Sequence, residues 1–259
     1  MSEIRFEDGA AYERSMGVWS SLAGEVFLDW LAPAPGGRWL DVGCGNGAFT
    51  EQILRRSAPA EVQALDPSEG QLAFARGRPG ARAASFRQGD ALSLPFEDRR
   101  FDVAAMALVV FFVPDPAKAV AEMMRVVRPG GVVAAYAWDF SRGGFPFEVA
   151  HAELRAMGHP PPRPPHWAVA ARDPLAALWR WTGLRDVELR DITVRRHYPG
   201  FDAFWDSIVG TATLARLVAT LPPAELAALR ERLAARLTQP DGSVAYDALA
   251  TAVRGTVPA

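Results

Sequence analysis

Apolar positions along this chain fall into two alternating patterns. Short runs such as Trp39-Leu40 with Val42, Val62 with Ala64-Leu65, Ala84–Gln88, Phe101–Val113 and Val132–Trp138 are bounded by Gly, Pro, Asp or Asn. Runs of that length and composition read as buried strands. Between them, Phe49, Ile53 and Leu54, and then Val120, Met123, Met124 and Val127, recur at helical spacing. Strands alternating with helices predict a mostly parallel α/β sheet covered on both faces. Before the first strand, Tyr12 and Met16, then Trp19, Leu22, Val26, Phe27, Trp30 and Leu31, predict two short helices over 10–31, broken near Gly17. After Asp139 the pattern loosens. A helix over Phe147–Met157, the run His159-Pro-Pro-Pro-Arg163-Pro-Pro165, a helix over Leu175–Thr182, a sixth strand over Val187–Tyr198, helices over Phe201–Leu237 split at Pro222-Pro223, and a closing strand over Leu249–Val257 follow in order.

The stretch Arg38–Thr50 organises the rest. Its strand ends in Asp41-Val42 and breaks into glycines on alternate positions, Gly43, Gly45 and Gly47, before a helix starts. Such a turn lets backbone approach a ligand closely and aims unpaired helix-start N–H groups into the same crevice. Read as Gly43-x-Gly45-x-x-Ala48, the stretch also satisfies a dinucleotide fingerprint. Asp41 points elsewhere: a carboxylate is an odd neighbour for a pyrophosphate and suits a ligand with an ammonium group. Asp66 ends the second strand 19 residues past Gly47, near the spacing at which an acid meets ribose hydroxyls, although Asp66-Pro67-Ser68-Glu69 is also a helix-capping sequence. Asp90 stands after the third strand, so acids recur where open parallel sheets bind ligands.

From Asp41 to Gly47 the chain resembles the class I S-adenosylmethionine (SAM)-dependent methyltransferases, whose first motif has the form Asp/Glu-x-Gly-x-Gly-x-Gly. The resemblance covers residues 38–139 and is loose outside them. Leu108-Val-Val-Phe-Phe-Val-Pro-Asp-Pro116 resembles the type-11 segment lining the cofactor's methyl end, and Arg128-Pro-Gly-Gly131 a family turn. It implies a Rossmann-like sheet of seven strands, the last antiparallel, flanked by helices. It further implies a cofactor site of Asp41, Gly43, Cys44, Gly45, Gly47, Asp66, Pro67, Gln71, Asp90, Ala91, Leu92 and Leu108, with Asp90 and the next backbone N–H on the adenine. Gln71 departs from the family, which places an apolar residue there. Tyr12-x-Arg-x-Met16-Gly-x-Trp19-Ser20 is similar to the openings of many small-molecule members, which implies that Tyr12 touches the cofactor. Phe111, Phe112 and Trp138 are the substrate candidates. The Asn/Asp-Pro-Pro-Tyr/Phe tetrapeptide that marks nucleobase and amide methylation is absent.

Charge narrows the partners. With 28 basic and 30 acidic residues and no like-charged block, neither nucleic acid nor an anionic membrane is indicated, and a small molecule is expected. The single cysteine, Cys44, and scattered histidines argue against disulfides and metal sites. Lys118, the only lysine, lies in a surface helix unsuited to Schiff-base chemistry. With no apolar segment of membrane-spanning length and no secretory start, the expected location is cytoplasmic. The reading is one domain: a core of 32–139, 183–198 and 246–257, with the helices at 10–31, the insertion 140–182 and the helices at 201–242 as a substrate lid. The expected reaction is methyl transfer from SAM, leaving S-adenosylhomocysteine (SAH), to a small apolar or aromatic metabolite by in-line displacement. His151, His166 and His197 are candidate bases. The competing readings are an NAD(P)-dependent oxidoreductase and a SAM-binding module without turnover.

Overall fold

A computed structural model describes residues 16–259; Tyr12 lies outside the described residues. The strands are β1 (Arg38–Val42), β2 (Glu61–Asp66), β3 (Ser85–Gln88), β4 (Phe101–Ala107), β5 (Val127–Trp138), β6 (Arg185–Tyr198) and β7 (Val244–Thr256). They form one sheet in the order β3-β2-β1-β4-β5-β7-β6, parallel except that β7 runs antiparallel to both neighbours. The helices are α1 (Val18–Leu31), α2 (Ala48–Ser57), α3 (Glu69–Gly77), α4 (Pro116–Val126), α5 (Glu148–Ala156), α6 (Arg172–Trp181), α7 (Phe201–Val209), α8 (Ala212–Val218) and α9 (Pro223–Leu237).

Central strands read as apolar runs because both faces are covered: in β4, Phe101 and Val103–Met106 are buried. Edge strands read differently. β3 is mostly exposed, and β6 turns Arg185, Asp186, Glu188, Arg190, Asp191 and Arg195 toward solvent or the sheet margin, a charge pattern that discourages pairing with a further chain. The largest fully buried side chains, among them Trp19, Trp39, Trp138, Trp179 and Tyr136, sit between sheet and helices.

Two boundaries differ from the sequence reading. Arg128-Pro-Gly-Gly131 does not separate α4 from the strand. It lies inside β5, where Gly130 has φ +74° and the pairing with β4 shifts register between Phe101 and Val103. A Cβ on Gly131 would lie 2.7 Å from the Asp102 carbonyl oxygen, so the strands approach each other there only because that residue is glycine. β7 starts at Val244 rather than Leu249. β5 ends its pairing at Trp138 opposite Ala250, whereas β6 pairs with β7 as far as Val244. The two strands therefore run on together past the C-terminal edge of the parallel strands, and α7 packs on that extension. The helices after β6 number three, in keeping with the two or more pieces expected, with a break at Gly210-Thr211 besides the one at Pro222-Pro223.

The insertion 140–182 leaves at Trp138. Asp139 is fully buried and accepts from the backbone N–H groups of Ser141 (3.0 Å) and Arg142 (3.1 Å) and from Arg142 Nε (2.7 Å). Arg142 also grips both carboxylate oxygens of Asp191 on β6, at 2.7 and 2.9 Å. Burial pushes the Asp139 carboxyl up, but these hydrogen bonds outweigh it and hold the group below its ordinary range. Across the molecule, α5 packs on α9, and His159 Nε2 lies 2.6 Å from Glu225 Oε2.

Candidate functional site

At the C-terminal end of β1 the chain takes positive φ at Gly43 (+77°), Gly45 (+51°) and Gly47 (+79°). The three glycines serve different ends. A Cβ on Gly43 would lie 2.6 Å from the Val109 side chain, and one on Gly47 would lie 2.9 Å from Ala75, whereas at Gly45 nothing lies within 4 Å. Two glycines thus permit close packing of the turn, and the third is open to the space above it. The Gly45 N–H donates to Asp66 Oδ2 at 2.9 Å, and Ser68 N–H donates to Asp66 Oδ1 at 2.9 Å. Ser68 also caps α3 by accepting from Gln71 N, so capping and presentation of the acid coexist. Burial pushes the Asp66 carboxyl up, with the two backbone N–H groups opposing. Each of its oxygens keeps a second lone pair for a ligand hydroxyl.

This turn forms one wall of a cavity of about 1060 Å³. Cys44, Pro67, Gln71, Asp90 and Ala91 line it beside the turn. Leu108, Val109, Phe112, Val113 and Pro114 make an apolar wall past β4. Leu108 holds φ +63°, rare for a branched side chain, while its N–H donates to the Tyr136 carbonyl at 2.8 Å. That twist ends β4 and turns the following residues over the crevice.

The sequence profile described as a methyltransferase domain matches residues 40–135, from β1 through β5. A malonyl-[acyl-carrier protein] O-methyltransferase of Methylococcus capsulatus is 34% identical over 198 residues, 76% of this chain and 67% of that protein. This chain belongs to the methyltransferase-domain family. A ubiquinone/menaquinone biosynthesis C-methyltransferase of Roseobacter denitrificans is 38% identical over 111 residues, covering 41% of this chain and only 44% of that protein. In fold, the chain is similar to a Haemonchus contortus phosphoethanolamine N-methyltransferase solved with SAM, with TM-score 0.58 at 16% identity over 100% of this chain and 61% of that one. At such identity the likeness speaks for the fold.

Asp41 is fully buried and does not line the cavity. Thr50 Oγ1 donates to its Oδ2 at 2.6 Å, and its Oδ1 is a buried oxygen without a hydrogen-bond partner. Burial pushes the carboxyl up to about 7; Thr50 opposes this and the charge of Asp66 adds to it. Because Asp41 is fully buried and off the cavity wall, it makes no direct contact there, against the ammonium role expected of it; Asp66, which lines the cavity, suits a ligand with a ribose. Leu92 is corrected: it does not line the cavity, and its N–H is spent on Asp90 Oδ1 at 2.9 Å. Ala91, beside it, does line the cavity. Burial pushes the Cys44 thiol up, so it stays protonated.

Two substrate candidates are also corrected. Phe111 is 2% exposed and packs against Phe112 (4.6 Å) and Phe140 (5.5 Å), and Trp138 is 2% exposed in the core. Neither lines the cavity; of the three candidates only Phe112 does. The apolar run after β4 had to send alternate side chains inward, and the sequence pattern does not say which. None of the three histidines lines the cavity. His151 is buried against Phe145, and burial, with Arg155 and Arg163 nearby, pushes its pKa down to about 4. His197 is exposed on β6, the edge strand, three positions across the sheet from β4. His166 lies just beyond Pro165, and its backbone N–H donates to the Phe111 carbonyl at 3.1 Å.

Sequence reasoning missed a polar corner. Ser20, Ser21, Phe49, Gln52 and Tyr136 line the cavity where α1 meets α2. Gln52 Nε2 donates to the Ser21 carbonyl at 2.8 Å and to Ser21 Oγ at 3.0 Å. A Cβ on Gly24 would lie 2.1 Å from Gln52 Oε1, so this glycine lets α1 close onto the corner. The available signal was Gln52 itself, a polar residue on the same helical face as Phe49 and Ile53. Arg163 and Pro165 line the opposite rim.

Proposed function

We propose that this protein transfers the methyl group of SAM to a small molecule with an apolar or aromatic body. The observation that carries the reading is the single cavity joining the glycine turn and Asp66 to the Leu108–Pro114 wall. It lies at the upper end of the range for small-molecule sites, roughly 300–1,000 Å³, and offers room for a cofactor and a small acceptor together.

In this reading Asp66 accepts the ribose hydroxyls through its free lone pairs, and Asp90 and the Ala91 N–H meet the adenine. The open face of Gly45 leaves room for the aminoacyl end. SAM supplies an activated methyl on a sulfonium, so the chain's own task is to orient an acceptor and exclude water. Orientation of that kind is worth about 7–11 kcal/mol of barrier in favourable cases. No described cavity-lining residue is a histidine or lysine, which favours an acceptor that is itself nucleophilic, such as a carbanion-like carbon, an amine or an ionised oxygen. The domain reading stands as part of this proposal: a core sheet, with 140–182 as a roof braced by 201–242 and by the N-terminal helix. No described helix is long and apolar enough to cross a membrane; a cytoplasmic location is part of the proposal, with a small molecule as substrate rather than nucleic acid or a membrane.

Calorimetry with SAM, SAH and NADH tests the cofactor. Binding of SAH with no binding of NADH is expected, and the reverse would return the oxidoreductase reading. Screening metabolites for SAM consumption then separates an enzyme from a module that only binds.

A further inference from the structure

The proline run His159-Pro-Pro-Pro-Arg163-Pro-Pro165 is not explained by cofactor binding. It is a stiff bracket. Five prolines fix φ near −65°, and Arg163, standing before Pro164, is itself confined to extended backbone. Both ends are pinned: His159 by Glu225 at 2.6 Å and by its N–H to the Leu154 carbonyl at 2.8 Å, His166 by its N–H to the Phe111 carbonyl at 3.1 Å. Pro161 and Pro164 are buried, while Arg163 is exposed at the cavity rim. The bracket thus holds one arginine at the cavity that Phe112 and Pro114 also line.

Arg163 is the only cationic residue among the described residues that line the cavity. Its guanidinium lies over the Trp167 ring, 4.5 Å from the centroid, which orients it without neutralising it. Among the described residues no carboxylate pairs with it. The cavity's own acids lie by the glycine turn, where Asp66 is engaged by backbone N–H groups and Asp90 by its own turn. A pre-oriented guanidinium beside an apolar wall, with its fork of donors unspent, matches a carboxylate or phosphate on a molecule whose body lies against that wall.

We propose that Arg163 receives an anionic group, carboxylate or phosphate, on the methyl acceptor, so that the substrate class is an apolar or aromatic acid rather than a neutral molecule. This rests on the methyl-transfer reading above. The proline bracket makes Arg163 a specificity determinant because little side-chain and backbone entropy remains to be lost when the anion docks.

The test uses the full chain saturated with SAH. Three probes of one shape family are titrated at low salt: 4-hydroxybenzoate, phenyl phosphate and the neutral methyl 4-hydroxybenzoate. At least one anion is expected to bind about tenfold or more tightly than the ester, a preference that 0.5 M salt, on the order of a few Å in screening length, reduces. The tighter of the two anions identifies carboxylate or phosphate as the source. Arg163→Gln should erase the preference with SAH affinity unchanged, which also shows that the variant is folded, and Arg163→Lys should restore part of it. Equal binding of acid and ester, no anion binding, or a preference that survives in Arg163→Gln would overturn the assignment. A loss of SAH affinity in Arg163→Gln would also overturn it, placing the arginine on the cofactor's own carboxylate. Failure of SAH to bind the unaltered protein would instead sink the methyl-transfer reading.

Discussion

The half of the molecule built from β1 to β5 and the segments 140–182 and 201–242, proposed above as a roof, solve different problems. In the first, position is set by backbone: three glycines at positive φ, a carboxylate held by two N–H groups, and parallel strands in fixed register. In the second, position is set by side chains and prolines: the Asp139–Arg142–Asp191 chain, the His159–Glu225 contact and the bracket around Arg163. Backbone-built sites leave little freedom in residue type, because a Cβ or a lost N–H has no local substitute. Side-chain-built roofs can change composition while keeping their place. The family profile, which matches 40–135 and stops before the roof, divides the chain along that line.

The sharpest way to break the comparison is at Gly43. A valine there would need both a positive φ and space already taken by Val109. Gly43→Val is expected to abolish measurable SAM binding and to lower the melting temperature, with strain of about 1–3 kcal/mol from the backbone alone. Retained binding would show that the turn is less constrained than its geometry implies.

Asp41 offers the next largest effect. Its carboxyl is raised from 3.8 to about 7 in the folded protein, so the folded state holds a proton that the unfolded state has released. Stability therefore falls as pH rises from about 4 to 7, by about 1.4 kcal/mol per unit and at most roughly 4 kcal/mol in all. Below that window both states are protonated and nothing is lost. Asp41→Asn, which can still accept from Thr50, should melt higher than the unaltered protein at pH 8 and nearly the same at pH 4. An equal shift at both values would assign the effect to packing instead.

Asp66→Ala should weaken SAM by about 1.5–3 kcal/mol, the range for hydrogen bonds to a charged group, with the fold retained; calorimetry reads this directly. On the roof, Glu225→Gln should leave SAM affinity unchanged and cost about 0–1 kcal/mol in stability, as expected of a half-exposed pair, while raising KM for the acceptor. A fall in SAM affinity as large as that of Asp66→Ala would erase the distinction between the two regions. Hydrogen exchange gives the smallest signal. Added SAM and acceptor should protect 140–182 and 201–242 as well as 41–112, and protection confined to 41–112 would remove the lid from the proposal.

Much of the first half was legible because its determinants are local. Alternate glycines, a strand-terminal acid at Asp66 and a capping Ser68 are constraints that a few neighbouring residues impose on one another. Less of the roof could be read. That α5 packs on α9, and that Arg142 reaches Asp191, are contacts between residues far apart in the chain with no periodic signature. Phe111 and Trp138 show the same limit inside the legible half: an apolar run announces burial, but not which of its rings faces a cavity.

The sequence alone determined the strand-turn-helix around Asp41–Gly47, the alternation that makes a parallel sheet, and the acids at strand ends, because backbone preference and hydrophobic period act over a few residues. Only the tertiary structure decided that Arg128-Pro-Gly-Gly131 becomes part of a strand, since that depends on how closely β4 approaches. It likewise decided that Asp41 is buried rather than in the wall of the cavity, and that Gln52 and Arg163 come to its rim. Those outcomes depend on which distant segments compete for the same volume, and close packing settles that only once the whole chain is in place.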